Sequence, residues 1–307
     1  MAPFDPADAT PTPTKDFRAL RTSGEAAGAS RSIGGAICAA RDVVARGLIR
    51  VGATPNHLTI AGFLFTCAAG ASLAAGASAQ VPYFAFSEGP ANWWPVLAGI
   101  FLLLAGASDM LDGAVARVGG LSTRSGAILD SAVDRLSDMA IFIGCLIHFA
   151  LLQPSNLTYQ ILAVVALCNA VLISYIKART ENLIDDCSVG YWLRGERFAA
   201  VLIGCGTGHV PAVIWQLAVS SAFTVWRRLQ YAVQTVQAID AKRPLPPRGP
   251  APKWWGRLQL WRHPRGSIAY DFVTGAHIAF IIAAPLWVPA LRVAGPWSDP
   301  LRMWLGA

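Results

Sequence analysis

Residues 109–134 read DMLDGAVARVGGLSTRSGAILDSAVD, and they determine how the helices around them are expected to pack. This stretch carries four aspartates in two pairs, three and four residues apart: Asp109 and Asp112, then Asp130 and Asp134. At helical spacing, the members of each pair share one face. Gly119 and Gly120 between the pairs allow the chain to turn back. We therefore predict two antiparallel, neighbouring helices whose four carboxylates face one cavity.

Both flanks of this stretch are apolar but short. The charge-free runs at 95–108 and 139–153 each fall below the roughly 20 residues that cross a bilayer. Each helix reaches full length only if it includes its aspartates, so the second should begin near Ser125. Ionisable groups at membrane depth are costly and usually line a water-filled cavity. The aspartates therefore predict a functional site below the membrane surface.

The rest of the chain is typical of a membrane protein. Of its 307 residues, 54% are apolar and 14% are charged, against roughly 25% charged in an average soluble domain. Further apolar segments lie at 58–78, 157–176, 198–210 and 211–226. We predict an all-α integral membrane protein with six transmembrane helices, an N-terminal interfacial amphipathic helix and a C-terminal extension.

The distribution of basic residues predicts the orientation. The net charge is +7, and Lys and Arg are absent from residues 80–94, 152–158 and 205–211, which alternate with basic connections. The positive-inside rule then places both the aspartates and the N-terminus on the cytoplasmic side. We expect a multi-pass protein of the cell's inner (cytoplasmic) membrane, with its active site facing the cytoplasm and without a nucleic-acid partner.

The chain divides into four predicted regions. Residues 1–30 are predicted to be a disordered tail, because they are rich in Pro, Ala and Thr and lack an apolar core. The other regions are an interfacial helix at 31–50, a six-helix domain at 51–240, and a basic cytoplasmic segment with a membrane-associated extension at 241–307. The apolar part of the extension fits either a seventh span or an embedded, non-spanning helix, and we favour the latter.

The aspartate cluster predicts a metal site. Four carboxylates in a medium of low dielectric constant repel each other unless cations neutralise them. An oxygen-only ligand set favours hard cations such as Mg²⁺ or Mn²⁺, and two ions could bridge a diphosphate. From spacing alone, an ion-coupled transporter with paired intramembrane carboxylates stays open as a second class of function.

The same residues resemble the motif of the CDP-alcohol phosphotransferase family. That motif reads D-x-x-D-G-x-x-A-R, eight residues, then G-x-x-x-D-x-x-x-D, and the chain matches it at every fixed position, including Gly113, Ala116, Arg117 and Gly126. The resemblance implies transfer of a phosphatidyl group from CDP-diacylglycerol to a polar alcohol with release of CMP. It also implies a homodimer surrounded by membrane lipids. Nothing beyond about residue 241 is covered by it.

The resemblance further implies roles for single residues. Asp109, Asp112 and Asp130 would hold two metal ions, and Asp134 would ligate metal and serve as general base. Contacts to the nucleotide and the CDP-lipid are expected from Asn56, Thr59, Asp112, Gly113, Ala116, Arg117, Thr123 and Gly126.

A surplus of basic residues predicts an anionic acceptor, because Arg binds phosphate through a bidentate fork and Lys adds a point charge. The cytoplasmic connections also resemble those of the branch that makes phosphatidylinositol phosphate from inositol 1-phosphate, a phosphorylated polyol. The expected acceptor-phosphate residues are Ser174, Lys177, Arg194, Arg197 and Arg228. Glycerol 3-phosphate, the acceptor in phosphatidylglycerol phosphate synthesis, is the alternative.

Overall fold

The structure is a computed structural model that describes residues 29–83, 92–151, 155–184, 187–246, 268–292, 294 and 299–305. Residues 1–40 form a separate unit, of which only the first residues of a helix are described. The predicted disordered tail, apart from its last two residues, and most of the basic segment therefore lie outside the described residues.

The described residues form nine α-helices and one short 3₁₀ helix, without strands. The α-helices are α1 (Ala29–Arg50), α2 (Pro55–Gly76), α3 (Trp94–Val118), α4 (Arg124–Leu151), α5 (Leu157–Thr180), α6 (Arg194–Thr207), α7 (Val210–Asp240), α8 (Ile268–Trp287) and α9 (Pro300–Leu305). The 3₁₀ helix is Pro289–Leu291. The all-α prediction is thereby confirmed for the described part of the chain.

Helix boundaries agree with the argument from short apolar runs. Helix α3 continues through both of its aspartates to Val118, and α4 begins at Arg124. Helix α6 includes the basic residues that precede its apolar run, since it begins at Arg194. Four described helices are long and apolar enough to cross a membrane: α2, α3, α5 and the part of α8 from Tyr270 to Trp287. The length and the apolar composition of these four helices identify the chain as a membrane protein.

Helix α2 packs against both helices that carry the aspartates. Contrary to our prediction, α3 and α4 do not pack against each other along their length. The physical reason is the small-residue composition of α2: a Cβ atom on Gly62 would meet Ser108 of α3, and one on Gly70 would meet the backbone of Ala140 on α4. Glycine allows such close helix approach, so α2 packs against both helices and bridges them.

The crossing of α2 and α4 gives a testable expectation. A methyl group on Gly144 would overlap the carbonyl group of Gly70, so Gly144→Ala must push the two helices apart. We expect a loss of about 3 kcal/mol in stability, typical of an overpacked core. Gly206→Ala is the matched control, because nothing lies within 4 Å of its Cβ position. Equal thermal unfolding midpoints of the two purified variants would contradict this packing.

The C-terminal extension packs on the helical domain through α8. This helix contacts α6 and α7, and Gln216 of α7 donates a hydrogen bond to the carbonyl oxygen of His277 at 3.3 Å. Farther along, the His209 ring lies 3.0 Å from the carbonyl oxygen of Ile281. Helix α8 is long and apolar enough to cross a membrane, and the non-spanning helix that we favoured stays a prediction.

Asp299 fixes the end of the extension to the start of α5. Its carboxylate accepts hydrogen bonds from the Leu157 and Thr158 backbone N–H groups at 2.7 and 3.0 Å and from the Thr158 hydroxyl at 2.6 Å. Asn156 accepts from the next N–H group, that of Tyr159. All three donors of the first helical turn are therefore satisfied, which a helix start requires. Burial raises the pKa of Asp299, but these bonds and one from the Arg302 N–H outweigh burial and hold the pKa below its usual range.

This contact predicts a pH dependence of stability. Because the pKa of Asp299 is lower in the folded than in the unfolded state, its stabilisation is present above about pH 4 and is lost as the pH falls through the folded value. We expect Asp299→Ala to lower stability at pH 7 by about 2 kcal/mol. The unfolding midpoint of this variant should also fall less steeply with decreasing pH in the acidic range than that of the wild type. The exposed Asp271→Asn is the control. Unchanged midpoints at pH 7 would refute this role.

Candidate active site

The turn between α3 and α4 presents the aspartates to a common space. Gly120 has a φ of 63°, in the left-handed region that glycine tolerates without strain. The Leu121 N–H donates to the Ala116 carbonyl oxygen at 2.9 Å and closes the end of α3. The glycine turn predicted from the sequence is thus confirmed.

Three of the four aspartates form a compact cluster. Asp109, Asp112 and Asp130 each offer a carboxylate oxygen, and these oxygens all lie within 4.8 Å of one another. Asp112 is buried and accepts a hydrogen bond of 2.8 Å from the Thr59 hydroxyl. Thr59 belongs to α2, so the helix that bridges α3 and α4 also orients one carboxylate. The oxygen-only donor set and the spacing fit a hard divalent cation.

Arg194 connects the fourth aspartate to this cluster. One terminal nitrogen of its guanidinium lies 2.7 Å from a carboxylate oxygen of Asp109, and the other lies 2.9 Å from one of Asp134. A planar guanidinium can bind two carboxylates in this way because its donors form a fixed fork. The structure therefore brings together all four predicted aspartates and one predicted phosphate-binding arginine.

A second, more buried ion pair lies beside the first. Arg197 Nη2 is 2.5 Å from Asp138 Oδ2, and Arg197 also donates to the Trp192 carbonyl oxygen at 3.2 Å. Arg197 is 2% exposed, so it would have to leave these partners to reach a phosphate. Asp138 continues the stripe of Asp130 and Asp134 by one further turn, and that spacing was the only sequence signal for it.

Two cavities meet at the cluster. The first, the Arg194 cavity, has a volume of about 340 Å³ and is lined by Asp109, Asp112, Asp134, Asp138, Arg194 and apolar residues such as Phe63 and Phe198. The second, the Gly113 cavity, measures about 350 Å³. Its lining contains seven of the eight predicted nucleotide residues: Asn56, Thr59, Asp112, Gly113, Ala116, Thr123 and Gly126. Thr59 and Asp112 border both cavities.

The eighth predicted residue, Arg117, lies close by. A Cβ atom on Gly113 would be 3.2 Å from an Arg117 terminal nitrogen, so the absence of a side chain at Gly113 lets the exposed guanidinium lie over the helix. Gly126 likewise lets a neighbouring side chain lie close to the helix backbone, since its N–H donates to the Thr123 hydroxyl at 3.0 Å. A side chain at Gly126 would meet Thr123 and lie 3.6 Å from the Asn56 amide oxygen.

The remaining predicted phosphate residues lie away from the lining of the two cavities. Arg228 is 1% exposed and donates to the backbone carbonyl groups of Val189 and Ile173. Lys177 is 3.8 Å from Glu181, the C-cap residue of its own helix, and Ser174 is half-buried on α5. Of the five predicted residues, Arg194 contacts two of the four motif aspartates directly.

Comparison with known proteins identifies the family. A sequence model described as CDP-alcohol phosphatidyltransferase matches residues 53–226, which is more than half of the chain and includes every motif residue. The chain belongs to this family. It is therefore an enzyme, a transferase of substituted phosphate groups, and the resemblance seen in the aspartate motif is confirmed. The transporter alternative is set aside.

Several curated proteins are similar to this member of the CDP-alcohol phosphatidyltransferase family. The phosphatidylinositol phosphate synthase of Mycobacterium tuberculosis is 36% identical over 206 residues, which is 64% of this chain and 87% of the relative. The archaetidylinositol phosphate synthase of Methanothermobacter thermautotrophicus is 33% identical over 195 residues, covering 61% and 87% of the two chains. Both relatives are named after lipids that carry a phosphorylated inositol headgroup.

Solved structures show a related fold. The phosphatidylinositol phosphate synthase of M. tuberculosis with CDP-DAG bound superimposes with a TM-score of 0.52 and 32% identity, covering 62% of this chain and 92% of that chain. The same protein in complex with manganese and citrate gives a TM-score of 0.53 and 30% identity, covering 73% and 100%. The oxygen-only cluster of this CDP-alcohol phosphatidyltransferase predicts a hard divalent cation. The structure of the relative with manganese agrees with that prediction.

Proposed function

We propose that this CDP-alcohol phosphatidyltransferase transfers the phosphatidyl group of CDP-diacylglycerol to inositol 1-phosphate, forming phosphatidylinositol phosphate and CMP. The observation that carries the acceptor proposal is the position of Arg194, whose guanidinium lies at the aspartate cluster and lines a cavity. A phosphorylated acceptor can occupy that fork in exchange for a carboxylate. The names of the relatives support the same acceptor.

The Gly113 cavity is proposed to bind the nucleotide end of the CDP-lipid. Its glycines and Ala116 leave room for a flat base, and Asn56, Thr59 and Thr123 offer polar groups around it. Arg117 lies above Gly113, where it can contact the diphosphate. A CDP-DAG complex of a related structure supports this assignment of substrate.

Asp109, Asp112 and Asp130 are proposed to hold two Mg²⁺ or Mn²⁺ ions together with Asp134. Divalent cations bound there supply positive charge that stabilises the leaving CMP. Asp134 accepts the proton of the acceptor hydroxyl, whose oxygen forms the new bond to the phosphorus that bears diacylglycerol, while the bond to the CMP oxygen breaks. Arg194 orients the acceptor beside that carboxylate. Ser174, Lys177, Arg197 and Arg228 are also proposed to bind the acceptor phosphate, which requires Arg197 and Arg228 to exchange their present partners.

The finer topology is also proposed. Helices α2 to α7 form the six-span domain, α1 from residue 31 lies in the membrane interface, and the site faces the cytoplasm of an inner-membrane protein. The basic residues in the last turn of α5 and at the start of α6 support this side, by the positive-inside rule. We also propose a homodimer in contact with membrane lipids, as the family resemblance implies.

The proposed acceptor is tested by CMP release from CDP-diacylglycerol with Mn²⁺ and each candidate alcohol. We expect inositol 1-phosphate to be preferred over glycerol 3-phosphate, inositol and serine. A higher kcat/KM with glycerol 3-phosphate would instead favour phosphatidylglycerol phosphate synthesis, the alternative. A preference for an unphosphorylated alcohol would overturn the phosphate-binding role of the arginines.

The variant Arg194→Ala tests the proposed role of Arg194 in binding the acceptor phosphate. We expect the acceptor KM to rise by about 100-fold, because a bidentate charged contact is lost, while the KM for CDP-diacylglycerol changes little. Arg179→Ala is the matched control, since Arg179 is an exposed basic residue at the end of α5. An Arg194→Ala enzyme with the wild-type acceptor KM would remove Arg194 from the acceptor site.

A further inference from the structure

The first turn of α6 has two sides with different partners. Toward the aspartates, Arg194 contacts Asp109 and Asp134. On another side, Glu196 accepts a hydrogen bond of 3.1 Å from the Tyr270 hydroxyl of α8. Glu196 is 9% exposed. The first turn of α6 therefore contacts both the aspartate cluster and the C-terminal extension.

The start of α6 depends on outside contacts. Leu193 occupies the N-cap position and provides no side-chain hydrogen bond to the first turn. The helix has 14 residues, and the N–H groups of its first turn have no partner within the helix. The position of Arg194 is therefore set by what packs around this turn more than by the helix itself.

Helix α8 also holds the residues that lead into α6. The Tyr191 hydroxyl donates to Thr274 at 3.1 Å. The rings of Tyr191 and Trp192 pack on the His277 ring, with centroid distances of 4.7 and 4.6 Å. Three successive turns of α8, at Tyr270, Thr274 and His277, thus contact the stretch from Tyr191 to Glu196.

These contacts come from a part of the chain outside the family match, which ends at residue 226. We propose that Tyr270 is a positioning residue for the transfer reaction: through Glu196 it fixes the first turn of α6 and so holds Arg194 in the orientation that binds the acceptor phosphate. The extension is then a functional part of the enzyme. This inference rests on the proposed acceptor role of Arg194.

The test compares full-length wild-type enzyme with Tyr270→Phe, which removes one hydroxyl and keeps the ring that lies 6.0 Å from Tyr191. Because one hydrogen bond to a charged group is lost, we expect the acceptor KM to rise about tenfold. The KM for CDP-diacylglycerol should stay at its wild-type value. The matched control is Phe272→Ala, an exposed position on the same helix, and it should change neither KM.

A double-mutant cycle separates positioning from general stability. In an Arg194→Lys enzyme, the fork whose orientation Tyr270 preserves is already gone, so adding Tyr270→Phe should raise the acceptor KM by far less than tenfold. Three outcomes would overturn the proposal: an unchanged acceptor KM in Tyr270→Phe, an equal change in the KM of both substrates, or full additivity with Arg194→Lys. All values are measured with the acceptor that the wild-type enzyme prefers, so an error in the proposed acceptor shows separately in the wild-type screen.

Discussion

Asp112→Asn is expected to lower CMP release from CDP-diacylglycerol by at least about 1,000-fold, as removal of a principal electrostatic group of an active site does. Asp112 is the buried member of the carboxylate cluster and borders both cavities. Asparagine keeps the shape and can still accept the hydrogen bond from Thr59. The loss would therefore report on charge rather than on folding.

The effect of metal concentration sharpens this prediction. If Asp112 acts by holding a cation, its variant binds Mn²⁺ more weakly, and raising the Mn²⁺ concentration should recover part of the activity by mass action. The exposed Asp240→Asn at the end of α7 is the matched control. Wild-type turnover in Asp112→Asn, with normal Mn²⁺ dependence, would exclude Asp112 as a metal ligand.

Asp134→Asn is expected to reduce the rate of the chemical step by about 100- to 10,000-fold, the usual contribution of a general base. Asparagine can still accept a hydrogen bond from Arg194, whose nitrogen lies 2.9 Å from the Asp134 carboxylate, but it cannot take the acceptor proton. We expect binding of CDP-diacylglycerol to persist, and single-turnover CMP release measures the step directly.

Metal titration distinguishes the two aspartates. No concentration of Mn²⁺ should restore Asp134→Asn to more than a small fraction of wild-type activity, because the missing proton acceptor is not replaced. Asp271→Asn, on the exposed side of α8, controls for a general effect of losing a carboxylate. Full recovery by metal would reduce the role of Asp134 to that of a ligand.

Periodicity and charge made the active-site helices predictable. The three- and four-residue spacings placed each aspartate pair on one face, and the short apolar runs required α3 and α4 to include them. The way in which these helices pack against each other was harder to predict from the sequence. The separation of α3 and α4 arises from close contacts of Gly62 and Gly70 on α2, and a single glycine in an apolar helix does not reveal which neighbour it approaches.

Side-chain partners across the chain were the least predictable part of the site. The spacing of Arg194 and Arg197 gave no sign that one would bridge Asp109 and Asp134 while the other pairs with Asp138. Likewise, Tyr270 is separated from Glu196 by more than 70 residues. Such contacts depend on how distant helices pack, which neither local periodicity nor the family motif encodes.

The shared wall between the two cavities has a kinetic consequence. Asp112 and Thr59 border both spaces. If the Gly113 cavity binds the nucleotide and the Arg194 cavity binds the acceptor, as proposed, both substrates can be present together without competing for one volume. The phosphatidyl group would then pass directly between two substrates held in a ternary complex, without a covalent lipidated enzyme. Initial rates measured against both substrates should give intersecting rather than parallel reciprocal plots, and water would compete for the phosphatidyl group only when the acceptor side is vacant.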